Sequence, residues 1–415
     1  MISLWIAKVC LIILRLLHRR GATLPGLLAE KLYPQFLAAM LCQLPEGVVV
    51  VSGTNGKTTS TKMLSAIVGA TGKRVLTNPT GSNFTRGIAA AIVAKAQWDG
   101  TLPYDIAIIE LDEAYAAKFV EQVAPRACLI LNIMRDQMDR FGEIDYTANL
   151  LSKVVAATKE VVVLNKDDPR VYALRSASQA EVVLFGVNER LRDIFRSDDE
   201  LHGDIAHNPE PALAELQSMQ DDTVKLRIDG SMYTFPLSLY GVYNAQNATA
   251  VTALLYTLGL HPEDIKTYIA TVKPAFGRGE RILVGTKRII LQLVKNPGGF
   301  RHALLGGGLV KAEYTLIAIN DDYADGRDVS WLWDVDFSSL RHGVVATTGI
   351  RAADMALRLQ YEDIKAVDCE TNLKVALQAA LLQTPENGTL LVYTTYTAML
   401  KLRTLLGAIT KVERV

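Results

Sequence analysis

From residue 48 onward, short apolar runs alternate with longer mixed stretches. Val48-Val49-Val50-Val51, Arg74-Val75-Leu76, Ile106-Ala107-Ile108-Ile109, Cys128-Leu129-Ile130-Leu131 and Val161-Val162-Val163-Leu164 are separated by segments long enough for helices. Runs that are almost continuously apolar, without alternation, predict strands buried on both faces and so a mostly parallel sheet covered by helices. In such sheets ligands collect at the C-terminal ends of the strands. Polar residues follow these runs: Thr77-Asn78, Glu110-Leu111-Asp112-Glu113, Asn132 with Arg135-Asp136, and Asn165-Lys166-Asp167-Asp168-Pro169.

Further along, Asn188 to Asp222 is polar and carries Pro209 and Pro211, which predicts a surface excursion over 188–222. Val224 to Ile228 and Met232 to Phe235 alternate on either side of Asp229-Gly230, a hairpin signal. Gly241 to Leu260 reads as a helix with small residues along one face, and the glycines of Phe276-Gly277-Arg278-Gly279-Glu280 mark a hinge. A second α/β unit follows, with runs at Ile289-Ile290-Leu291, Leu316-Ile317-Ala318-Ile319, Val344-Val345-Ala346 and Leu390-Leu391-Val392. The expected organisation is an N-terminal helical segment over 1–46, a central domain over 47–280 and a C-terminal domain over 281–415.

The first 17 residues are strongly apolar, are interrupted by Lys8 and Arg15, and end at His18-Arg19-Arg20. The run is shorter than the ~20 residues of a spanning helix, and no small-residue cleavage site follows it. Two placements remain: a docked, mostly buried helix, or an interfacial helix touching the membrane, to which Trp5 and the basic flanks are suited.

With 415 residues the chain can bury the cores of two or three domains. Basic and acidic residues balance at 44 each, so no basic excess points to nucleic acid. Cys10, Cys42, Cys128 and Cys369 lie far apart without a CxxC pair, which suggests neither a disulfide framework nor a zinc site and fits a cytosolic protein.

Chemistry enters at Gly53-Thr54-Asn55-Gly56-Lys57-Thr58-Thr59, which follows the first apolar run and leads into a helix expected over Ser60 to Ala70. That order surrounds a phosphate with backbone N–H groups and a helix N-terminus, supplies Lys57 to neutralise charge, and offers Thr58 to Mg²⁺. ATP is the expected ligand. Val51 stands where the general P-loop pattern has a further glycine, and the form seen here resembles that of Mur ligases and folylpolyglutamate synthases.

More stations match in order: Glu110, Asp136-Gln137-Met138-Asp139, Asn165-Lys166-Asp167-Asp168-Pro169, Gly241-Val242-Tyr243-Asn244 with Asn247, and Gly277-Arg278. From about Val48 to Arg281 the chain resembles a Mur ligase central domain. The fold this implies is α/β: a P-loop Mur ligase central domain with a mostly parallel sheet, followed by a smaller Rossmann-like α/β C-terminal domain. The activity it implies is ATP-dependent formation of an acyl phosphate, which an amine then attacks. Thr58 and Glu110 would hold Mg²⁺, Asn165 and Asp168 would sit at the adenine and ribose, and Asn247 and Arg278 would also face the nucleotide. Gln137 stands where those ligases carry histidine, and no lysine occupies the place near Leu150 or Leu151 where theirs is carbamylated; Lys153 is out of step. Only 52 residues precede Gly53, too few for a UDP-sugar domain.

In the C-terminal unit, Asp321-Asp322-Tyr323-Ala324-Asp325-Gly326-Arg327-Asp328-Val329-Ser330-Trp331-Leu332-Trp333-Asp334 follows an apolar run. On its chemistry alone this polar loop suits a carboxylate-binding or partner-binding face, or a self-paired Arg327–Asp network beside core tryptophans. With Lys295-Asn296-Pro297-Gly298-Gly299, Thr348-Gly349-Ile350-Arg351-Ala352 and Tyr396-Thr397 it resembles the C-terminal domain of the MurT family, ligase subunits of lipid II isoglutaminyl synthase. That resemblance implies amidation of the α-carboxyl of D-glutamate in the lipid II stem peptide to D-isoglutamine, at the inner face of the membrane, with ammonia from a separate GatD-type glutaminase. It implies that Asp328, or less favourably Asp325, orients the partner's catalytic histidine. Catalysis would then rest on Asp328, Lys57 and Glu110. The four-cysteine zinc ribbon of several such subunits has no counterpart between Phe185 and Tyr240, so no zinc is expected. A folylpolyglutamate synthase-like amide ligase and a catalytically silent ATP-binding scaffold are the alternatives.

Overall fold

The computed structural model describes residues 2–17, 23–78, 84–135, 144–197, 199–200, 203, 208–220, 223–237, 241–272, 278–308 and 311–412. They form two compact units. The first takes the residues up to Met134, from 144 to Pro236 and from Gln246 to Val272; the second takes those from 278 onward, with Arg135, Leu237 and 241–245.

The sheet of the first unit contains β1 (Val48–Ser52), β2 (Val75–Leu76), β3 (Ile106–Glu110), β4 (Ala127–Ile130), β5 (Val161–Asn165), β6 (Glu181–Val187), β7 (Ala214–Gln220), β8 (Thr223–Ile228) and β9 (Ser231–Pro236), in the order β2-β3-β1-β4-β5-β6-β7-β8-β9. Pairing is parallel from β2 to β7, and every residue of β1, β3, β4 and β5 is buried, as strands covered on both faces must be. β8 and β9 form the expected hairpin, with Asp229 and Gly230 both at positive φ. The expected surface excursion is corrected in part: Ala214–Gln220 within it is β7, paired parallel to β6 and antiparallel to β8. The alternation that marks β7 is Ala214, Leu216 and the polar residues between and after them, and flanking polar residues conceal it.

Among the described residues, the helices Ile2–Leu16, Leu24–Leu32 and Phe36–Leu41 precede β1. Leu4, Ala7, Ala29, Leu37 and Leu41 join the same core as Val48, Val50 and Ile109. Of the two placements expected for the first helix, the mostly buried one is corrected. One face is docked, through Ser3, Leu4, Ala7 and Lys8, while Ile2, Trp5, Ile6 and Val9 on another face are exposed. Among the described residues no helix is long and apolar enough to cross a membrane.

The sheet of the second unit contains β10 (Arg278–Val284), β11 (Lys287–Leu293), β12 (Tyr314–Ala318), β13 (Val345–Thr348), β14 (Asp368–Glu370) and β15 (Thr389–Thr394), in the order β10-β11-β15-β12-β13-β14. All pairs are parallel except β10 with β11. The stretch expected as a hinge around Arg278 thus opens an edge strand at Arg278, while 273–277 lie outside the described residues.

Candidate active site

β1 ends at Ser52 and the helix Lys57–Ala70 begins four residues after Gly53. Between them the chain turns with Gly53 at φ 123° and Gly56 at φ 89°, conformations L side chains rarely adopt. Space enforces the same choice. A Cβ on Gly53 would lie 2.9 Å from the Asn132 carbonyl oxygen, and one on Gly56 would lie 2.3 Å from Asn247 Oδ1. Asn247, buried on the helix Val242–Thr257, therefore packs directly on the loop.

Asn132, just beyond β4, holds the loop from the other side. Its Oδ1 accepts from the Asn55 N–H at 2.8 Å and its Nδ2 donates to the Asn55 carbonyl at 3.0 Å. Thr54 is fixed as well: its hydroxyl lies 3.2 Å from Glu113 Oε1 and accepts from Met134 N–H at 3.0 Å. Thr59 is buried in the first helical turn.

Thr58 and Glu110, the pair expected at Mg²⁺, meet. The Thr58 hydroxyl donates to Glu110 Oε1 at 2.8 Å, and Asn78 clamps the Glu110 backbone through both its amide groups, each at 2.9 Å. Two hard oxygens from the protein suit a cation that takes its remaining ligands from phosphate and water, the usual manner of Mg²⁺. Lys57 is buried and folds back: Nζ donates to Gly53 O at 2.6 Å and lies 3.1 Å from Asp112 Oδ1 and 3.7 Å from Glu113 Oε2. Asp112 and Glu113 are two of the polar residues that follow the third apolar run. Here they balance the lysine charge.

Asn165 and Asp168 close the ends of β5. Asn165 Nδ2 donates to Leu131 O, and Asp168 caps the helix Pro169–Ala173 by accepting from Arg170 and Val171 N–H at 3.1 and 3.0 Å. Its second oxygen accepts from Ile133 N–H at 2.7 Å, tying the end of β5 to the chain beyond β4. Burial pushes the Asp168 carboxyl up to about 7 against the pull of those three donors, and pushes neighbouring Asp167 up to about 6. Lys153 is exposed while Leu150 and Leu151 are buried, so the helix Ile144–Ala157 turns no lysine inward at that level. Gln137 and the rest of Asp136–Asp139 lie outside the described residues, as does the Arg278 side chain. Cys128 is a core residue, its thiol pushed up to about 12 by burial.

In the second unit, the chain after β12 is pinned by Asn320, which accepts from Ile350 N–H and donates to Thr397 Oγ1 at 3.0 Å. Asp321 pairs with Arg351 at 2.7 Å and Asp322 with Lys401 at 3.6 Å. Asp325 is buried, accepts from Thr397 N–H at 2.8 Å and from the Thr397 hydroxyl, and burial raises its carboxyl above the usual range. Asp328 differs. It is exposed, and its carboxylate accepts from Ser330 N–H at 2.8 Å. Arg327 forms no ion pair among the described residues, which removes the self-paired network as an account of the loop. Of the tryptophans, Trp331 packs toward Phe300 in the core, whereas Trp333 is exposed and meets Tyr361 edge-on at 5.0 Å.

A glycine-rich loop at the C-terminal edge of a parallel sheet, with a hydroxyl–carboxylate pair beside its lysine, fits a carbon–nitrogen ligase of the Mur class. Residues 51–255 match the Mur ligase middle domain and residues 293–399 match the MurT ligase C-terminal domain. The chain is 31% identical to the lipid II isoglutaminyl synthase (glutamine-hydrolyzing) subunit MurT of Streptococcus pneumoniae, over 94% of this chain and 93% of that one. It is 30% identical to the same subunit of Staphylococcus aureus, over 85% of each chain. In structure it resembles a MurF ligase from Thermotoga maritima in complex with ADP, with a TM-score of 0.70 and 14% identity over 92% of this chain and 85% of that one. This chain belongs to the MurT family.

Proposed function

We propose that this chain is the ligase subunit of a lipid II isoglutaminyl synthase, amidating the α-carboxyl of D-glutamate in the stem peptide. The observation that carries the reading is near-full-length similarity to subunits of that name, in a chain that retains the Lys57, Thr58 and Glu110 arrangement. The carboxylate oxygen attacks the γ-phosphorus of ATP and the bond to ADP breaks, leaving an acyl phosphate. Ammonia then attacks the acyl carbon, phosphate leaves with the C–O bonding pair, and the nitrogen sheds a proton to give the amide.

Gly53 to Thr59 would cradle the phosphates, with Lys57 exchanging Asp112 for phosphate oxygens as charge builds there. Thr58 and Glu110 would hold Mg²⁺, which would offset the negative charge of the phosphates when bound. Asn165, Asp168, Asn247 and Arg278 would line the nucleoside. Ammonia would come from a GatD-type glutaminase, and the exposed Asp328 is suited to orient that partner's histidine, whereas Asp325 is already committed to Thr397. A lipid-linked substrate locates the work at the inner membrane surface.

The test is co-expression with a GatD-type glutaminase, followed by mass spectrometry of lipid II incubated with ATP, Mg²⁺ and glutamine. Conversion of a stem-peptide OH to NH₂, lost in Lys57→Ala and restored for Asp328→Asn by free ammonia, is expected. No amidation even with ammonia supplied would reject the substrate.

A further inference from the structure

The helix Ile2–Leu16 is turned the opposite way from an ordinary surface helix. Trp5, Ile6, Val9, Ile12, Ile13 and Leu16 recur at intervals of three and four along one face, and all are exposed. The face is continuous with exposed Trp98, whose carbonyl accepts from the Trp5 indole N–H at 2.7 Å. Single exposed apolar residues are ordinary, but a contiguous apolar stripe marks a site of contact.

The inward side holds the stripe in place. Leu4 and Ala7 belong to the core of the first unit. The Lys8 ammonium is buried, donates to Ala96 O at 2.6 Å and lies 5.3 Å from the centre of the Trp98 ring. These contacts hold the helix with its apolar stripe facing outward. Its 15 residues span about 22 Å, short of the ~30 Å hydrocarbon core.

Charge selects the occupant. Besides the inward-facing Lys8, residues 1–29 contain Arg15, Arg19 and Arg20, and the first acidic residue of the chain is Glu30. An apolar stripe within an acid-free basic segment is complementary to an anionic lipid surface. A second copy docked through the same face would instead bring two basic segments together, which their charge opposes.

We infer that the outward face of the helix Ile2–Leu16 docks in the plane of an anionic phospholipid bilayer, its side chains reaching below the headgroups. This rests on the membrane-surface location proposed above and goes beyond it by assigning the surface. Vesicles free of lipid II read it apart from the chemistry, so either reading can fail alone.

The experiment is co-sedimentation of the full chain with phosphatidylglycerol and with phosphatidylcholine vesicles. The comparison is between wild type, the pair Ile6→Glu with Ile13→Glu, Arg15→Glu, and Leu382→Glu as a control at an exposed position in the second unit. Wild type and Leu382→Glu are expected to bind phosphatidylglycerol vesicles and to bind phosphatidylcholine vesicles more weakly. The paired substitution should reduce binding by about tenfold or more, and Arg15→Glu by less. Both substituted side chains of the pair are exposed, so its thermal midpoint should match wild type; Arg15→Glu and the two lipids supply an independent readout if it does not. Absence of wild-type binding to phosphatidylglycerol, or binding undiminished in the folded pair, overturns the inference. So does a dimer that forms without lipid and is dissociated by the paired substitution, since the face would then belong to a second copy.

Discussion

The phosphate loop and the Asp328 loop both follow a buried strand, yet they treat their polar groups differently. Around Gly53–Thr59 the polar groups are buried or half-buried and bonded within the unit: Asn132 to Asn55, Thr58 to Glu110, Lys57 to Asp112. After β12, Asp325 is satisfied in the same way, but Asp328 stands in solvent with its local bond to Ser330. A site whose chemistry is completed inside one chain can be buried and pre-satisfied. A carboxylate that is to orient another chain's residue, as proposed for Asp328, would have to stay at the surface.

That contrast can be broken by comparing nitrogen sources. Lys57→Ala should lower phosphate release on the order of 10⁴-fold whether glutamine or ammonia is supplied, because the loss lies in phosphoryl transfer. Asp328→Asn should lower glutamine-driven amidation by about 10³- to 10⁴-fold and leave ammonia-driven amidation unchanged. Equal loss from both nitrogen sources in Asp328→Asn would remove its assignment to the partner.

Stability sharpens the same comparison. Asp168 holds its proton up to about pH 7 in the folded protein, against an ordinary aspartate value near 4 when unfolded. Between these values the native state binds the extra proton, so this carboxyl's contribution is full at low pH and is lost as pH rises through about 7. A fall of up to a few kcal/mol across that window, flattened in Asp168→Asn, is expected in urea unfolding followed by tryptophan fluorescence. Asp325→Ala should cost about 1–3 kcal/mol by leaving the Thr397 donors without their acceptor, whereas Asp328→Ala should stay within about 0.5 kcal/mol. Thermal midpoints of the two variants read the difference directly.

Much of this was legible in the chain. β1, β3, β4 and β5 announce themselves because a strand buried on both faces must be apolar throughout. β14 does not, since Asp368, Cys369 and Glu370 are too few and too polar to show a pattern. β10 was concealed by glycines and charges that read as a hinge. In the site, Lys57 and Thr58 are set by a local motif and Glu110 by its place at a strand end. Asn78, Asp112 and Asn132 were visible only as polar residues, because their partners come from neighbouring strands in the order β2-β3-β1-β4. Spacing along the chain carries no record of that order.

The double clamp of Asn132 on Asn55 bears on how a nucleotide would be felt by the rest of the molecule. A loop already immobilised at both backbone groups has little conformational entropy left to surrender, so binding pays almost nothing for ordering it. The same rigidity makes the loop a poor messenger. News of an arriving phosphate would travel instead as charge: once Lys57 turns to the newcomer, Asp112 and Glu113 are left with an unbalanced negative field at the start of the helix Glu113–Val120.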